Sequence, residues 1–101
     1  MKIYLLLFLL LPFFVYPGTT GKLAGTIKDA QSGEPLVGAN VIIEGTNFGA
    51  ATNVNGEYVI LNISPSKYSV KFSFIGYETL LMQDVAISVD QTTVLHMVLN
   101  L

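Results

Sequence analysis

Acid–base or metal chemistry in this sequence would rest on one histidine, His96, and seven Asp and Glu residues. A metal centre needs several donors, and a general base needs an oriented partner. No second candidate lies near His96 in the sequence, so it reads as an outward residue on a surface strand. The carboxylates are scattered through turns and outward positions. A glycosidase pair would need two of them facing across about 5–10 Å. Cysteine is absent, which removes thiolate nucleophiles, cysteine-ligated zinc and any disulfide framework. The glycines fall in β-turns with no helix following, so neither a nucleophile elbow nor a phosphate loop is present. No catalytic, cofactor-binding or metal-binding residue is expected, and the chain is read as not an enzyme.

The aromatic side chains are a separate question, because rings can stack on sugars. Tyr58, Tyr68, Phe72, Phe74 and Tyr77 fall mostly at inward positions of alternating segments and read as core, where such side chains bury large areas. Phe48 lies between glycines in a turn and is the candidate exposed aromatic. Ile42 falls outward on its strand, either under a loop or at a contact. Phe48 and Ile42 are the possible surface-contact residues. Asn62-Ile63-Ser64 fits a glycosylation sequon, but Pro65 follows and coincidence is the better account.

Charge removes one class of partner. The sequence has five lysines and no arginine, for a formal net charge of −2. Setting Lys2 aside with the leader leaves four lysines against seven carboxylates, a net −3. Nucleic-acid binding lacks its basic footprint.

The elements that would position these residues begin with a leader. Met1-Lys2 supplies a positive charge, Ile3 to Tyr16 is apolar apart from the break at Pro12, and Pro17 to Gly21 is small and turn-like. That is the order of a secretory signal peptide, assigned to residues 1–20. Ile3–Tyr16 as a helix would reach only about 21 Å at about 1.5 Å per residue, short of a hydrocarbon core of about 30 Å.

Residues 22–101 form the mature domain. Lys22–Lys28 alternates with Leu23, Gly25 and Ile27 on one face. Val37–Glu44 places Ala39, Val41 and Ile43 inward, and Asn40, Ile42 and Glu44 outward. After a short segment at Ala50–Thr52, Asn55-Gly56 gives a hairpin signal. Glu57–Ile63 presents Tyr58 and Ile60 to one side, and Tyr68–Phe74 is the cleanest alternation and the expected central strand. Tyr77–Met82 and Val85–Val89 read as separate segments. Thr93–Leu99 closes the chain with Leu95, Met97 and Leu99 inward, and Val94, His96 and Val98 outward. No segment of the mature chain shows helical apolar spacing. Seven short strands with regular turns predict an all-β, antiparallel, seven-stranded sandwich of the prealbumin-like or Ig-like Greek-key kind. Two sheets must pack, since one sheet alone would leave an apolar face wet.

The sequence Gly25-x-Ile27-x-Asp29, Ser32-Gly33-x-Pro35-Leu36-x-Gly38-Ala39-x-Val41, Gly45-Thr46-x-x-Gly49 and Thr52-Asn53-x-x-Gly56-x-Tyr58, with the later Tyr68-x-Val70 and Phe74-Ile75-Gly76-Tyr77, resembles the carboxypeptidase regulatory-like domain. In particular it looks like the version at the N-terminus of TonB-dependent outer-membrane receptors of the Bacteroidetes type. One departure is Asn53, where the family usually has Asp; either forms an Asx-turn. The resemblance implies a prealbumin-like sandwich, export to the periplasm or outer membrane, and no catalysis by the module. Its partner would be a protein in the periplasm or outer membrane. In such receptors a plug and barrel follow the module, and transport is not expected of residues 22–101 alone. A truncated receptor, a fragment and a stand-alone module all remain open. The alternative is a secreted accessory module that binds carbohydrate or supports a carboxypeptidase.

Overall fold

The computed structural model describes residues 18–101. The expected signal peptide at residues 1–20 lies almost wholly outside that range. Eight strands follow one another: β1 (Gly21–Asp29), β2 (Asn40–Ile43), β3 (Gly49–Ala51), β4 (Glu57–Ile63), β5 (Ser66–Ser73), β6 (Leu80–Ile87), β7 (Thr92–Val94) and β8 (Met97–Leu99). They form two four-stranded sheets. In sheet one, β1 lies between β4 and the β7–β8 pair; in sheet two the order is β3-β2-β5-β6.

Alternation places the core as expected. Leu23 and Ile27 of β1, Ala39 before β2, Val41 and Ile43 of β2, and Val70 and Phe72 of β5 are all fully buried. β5 is an interior strand of sheet two, as is β2, and it pairs with β2 and β6. The layers meet through aromatic contact, with Tyr58 of sheet one and Phe72 of sheet two edge to face at 6.0 Å, a geometry that adds to the area both rings bury.

The sandwich stands, with four corrections in detail. The strands number eight where seven were expected: two expected segments merge into β6, the short β3 is a strand in its own right, and the last is divided at Leu95-His96. Both resulting strands pair with β1 in parallel, so the fold is not antiparallel throughout. The Asn55-Gly56 turn is tight, but it joins β3 of sheet two to β4 of sheet one and closes no hairpin within a sheet. Tyr77–Met82 and Val85–Val89 are not two strands, because β6 runs unbroken from Leu80 to Ile87.

The last correction has a backbone cause. Asp84 has φ 57° and Asn62 has φ 61°, left-handed values that Asp and Asn tolerate better than most residues. Each sits beside a register shift, one in the β5–β6 pairing and one in the β1–β4 pairing. An extra residue in a strand reverses which parity faces the core. Leu80 and Met82 pack against the core before Asp84, and Val85 and Ile87 after it. Tyr58 and Ile60 are inward before Asn62, and Ile63 after it.

Candidate functional site

The interruption between β7 and β8 is held by side chains where the ladder fails. Leu95 N–H donates to Ala24 O at 2.8 Å, and the Tyr58 hydroxyl donates to Leu95 O at 2.8 Å. Gly25 makes this possible: a Cβ there would lie 1.7 Å from the Leu95 carbonyl oxygen. Burial of Tyr58 pushes its hydroxyl pKa well above the ordinary phenol value, so it stays a donor. His96 then completes the gap from outside. Thr26 N–H donates to His96 Nδ1 at 3.1 Å, and the Thr26 hydroxyl lies 2.9 Å from the same atom. With Nδ1 accepting, the ring proton is on Nε2. His96 is exposed, as its outward position predicts, and it serves as a cap for a backbone amide. Among the described residues no group of three His, Asp or Glu side chains is arranged to hold a metal ion.

A second tie crosses between layers at the end of β1. The Tyr77 hydroxyl donates to Asp29 Oδ2 at 2.6 Å, and Gln31 N–H donates to Asp29 Oδ1 at 2.7 Å. The Tyr77 hydrogen bond first, and the Gln31 and Ser32 amides after it, hold the Asp29 pKa below the usual carboxylate value. Thr52 is the buried polar residue of the core: its hydroxyl donates to Leu36 O and accepts from Ala39 N–H. At the β3–β4 turn, Asn53 Oδ1 accepts from the amides of Asn55 and Glu57. The Asx-turn is intact with Asn in place of Asp. These arrangements satisfy polar groups and stabilise the fold; none presents a reactive group in a cleft.

What is presented to solvent is apolar sheet. Paired residues on neighbouring strands share a face, so the registers can be read as rows. On sheet two, Ile42, Lys71 and Leu81 form one outward row, and Phe48 stands in the adjoining β2–β3 turn. Ile42 is 38% exposed and Phe48 40%. On sheet one, Val59, Ala24 and Val94 form a corresponding row. Leu61 lies beside Lys22, and Val98 is paired with Lys28. Val59, Leu61, Val94 and Val98 are each between 50% and 54% exposed. Sequence reasoning singled out the sheet-two residues and missed this larger face. The signal was Tyr58-Val59-Ile60-Leu61, apolar on both parities, as in a strand covered on both sides.

The sequence matches the family described as the CarboxypepD_reg-like domain over residues 23–101. It is 38% identical over 58 residues to the TonB-dependent receptor P39 of Formosa agariphila, covering 57% of this chain and 5% of that protein. It is 37% identical over 54 residues to the TonB-dependent receptor SusC of Bacteroides thetaiotaomicron, covering 54% of this chain and 5% of that one. The matched segment is thus a small part of those receptors' length. Among solved structures, a type II cohesin-X-dockerin complex from Acetivibrio cellulolyticus superposes with a TM-score of 0.69 at 22% identity, over 78% of this chain and 56% of that one; at that identity the likeness is one of fold.

Proposed function

The chain belongs to the CarboxypepD_reg-like domain family, and on that premise we propose that it is a non-enzymatic, exported interaction module of the cell envelope. In this reading it is the N-terminal part of a TonB-dependent receptor, or a truncated form of one, with residues 1–20 as its leader. Similarity to the receptors supports the envelope location. The observation that carries the interaction role is the outward row Val59–Ala24–Val94. Contiguous exposed apolar surface of this kind marks contact sites in soluble domains. Ile42 and Phe48 offer a smaller contact on the opposite sheet. Carbohydrate is the weaker partner, since Phe48 is the one aromatic ring exposed on the described surface.

The test places a photo-reactive phenylalanine analogue at Val59 or at Ile42 in the exported chain and irradiates cells. Light-dependent adducts in the envelope fraction, together with an N-terminus that starts after the leader, are expected. A chain that keeps Met1, or that gives no adduct at either face, overturns the reading. Glycan-array binding lost in Phe48→Ala would move the assignment to a carbohydrate-binding accessory module.

A further inference from the structure

We infer that the outward face of sheet one pairs with the same face of a second copy of this chain, turned end for end about the row Val59–Ala24–Val94. The pairing rests on the interaction-module reading and names its partner. The face has two lysines, Lys22 and Lys28, and two carboxylates, Glu57 and Asp90, all exposed. His96 adds no charge, since its Nδ1 accepts from the Thr26 amide. A balanced face prefers neither an acidic nor a basic partner, so what matters is where the charges stand. Counted along β1 from Ala24, Lys22 is two positions before the row and Lys28 four after it. Glu57, paired with Thr26, is two positions after the row and one strand to the side. Asp90, whose amide donates to Thr20 O, is four positions before it, in a shallow depression with Lys22 and Leu61.

A half-turn about an axis lying along the row reverses the direction of β1. Two positions before then falls on two after, and four before on four after. Each Lys22 lies beside the second copy's Glu57, and each Lys28 beside the second copy's Asp90. The sideways offset is one strand spacing, about 4.8 Å, within reach of a lysine side chain. Opposite charges thus meet on both sides of the row, where Val59, Ala24 and Val94 each meet their own counterpart. Such a contact is isologous, with the same patch used on both copies. The pattern disfavours the other orientation, because an axis along β1 would set Lys22 on Lys22 and Lys28 on Lys28. It also disfavours sheet two, whose row Ile42–Lys71–Leu81 would set Lys71 on Lys71. From position 20 to position 28 the face is about 26 Å long, and three strands are about 15 Å across. That is small for a permanent dimer and suits a reversible one.

Sedimentation of the purified chain is expected to show a monomer–dimer equilibrium that added salt shifts toward monomer. Val59→Asp should abolish the dimer with an unchanged circular-dichroism spectrum, and Ile42→Asp should leave it intact. Charge exchange tests the orientation. Lys28→Glu sets a carboxylate against Asp90 twice in each dimer, and Asp90→Lys sets an ammonium group against Lys28 twice. Each variant alone should therefore dimerise at least about tenfold more weakly than the parent chain. Mixed in equal amounts, the two should recover the parent affinity. The introduced glutamate of one copy then faces the introduced lysine of the other, and the native Lys28 and Asp90 meet as before. A chain that stays monomeric up to about 1 mM, a dimer that Ile42→Asp breaks and Val59→Asp spares, or variants that pair no better mixed than apart would each overturn the inference. A photo-reactive side chain at Val59 should give adducts of twice the chain's mass. Adducts at Val59 with a different protein alone, or adducts at Ile42 alone, would remove the second copy and keep the interaction module, whereas none at either face removes both.

Discussion

In sheet two, β2–β3 and β5–β6 are hairpins, with each strand paired to the one that follows it. In sheet one, β1 pairs with β4 and then with β7 and β8 at the far end of the chain. A hairpin's register is set largely by its turn. A strand that finds remote partners has no such guide, and its register must be fixed by groups that fit in one alignment alone. Sheet one has those groups: the gap at Gly25 that admits the Leu95 carbonyl, the Tyr58 hydroxyl that caps it, and the His96 ring on Thr26. Hairpins supply two of the three pairings of one layer, and pinned remote pairing makes the other.

The largest expected effect tests whether the layers are independent. Phe72→Ala removes a fully buried ring that meets Tyr58 across the interface, and should cost about 3–5 kcal/mol in urea unfolding. Hydrogen exchange should accelerate in β1 and β4 as well as in β5. Loss confined to sheet two would show that the layers hold separately.

A smaller effect addresses the pinned register directly. Gly25→Ala places a methyl group against a backbone carbonyl and should cost about 1–3 kcal/mol, the usual range for overpacking. Exchange at the Thr26 and Leu95 amides is expected to rise first. An alanine variant as stable as the parent chain would mean that β7 and β8 keep their register without the gap.

The smallest effect concerns the tie between the end of β1 and the loop before β6. Asp29 has a lowered pKa in the fold, so its ionised form adds stability above the unfolded value of about 3.9, and that contribution disappears as pH falls through the folded value. Tyr77→Phe removes the largest cause of the lowering. Thermal midpoints of the two proteins should differ near neutral pH and converge at strongly acidic pH; parallel curves would remove Asp29 from the account.

Sequence legibility followed the same division. Ala39, Val41, Ile43, Val70 and Phe72 were legible because strict alternation records one buried face; Ile42 was legible as exposed for the same reason, and Phe48 because it lies between glycines in a turn. The phase reversals at Asn62 and Asp84 were not, since an Asn or Asp within an apolar run does not announce a left-handed φ. Parallel pairing of β7 and β8 with β1 was hidden as well: alternation states which side chains are buried but not which way a distant neighbour runs. The face of Val59 and Leu61 was obscured because a search for one inward side assigns the other side to solvent without asking what it is made of.

The kinks at Asn62 and Asp84 have a further consequence through their placement. They interrupt β4 and β6, the two long outermost strands of the sandwich. A foreign β-segment zipping onto either margin would find only a few matching rungs before a polar, off-axis residue broke the match. A domain with no disulfide to hold its strands in place is thereby less able to seed fibrils from its own borders.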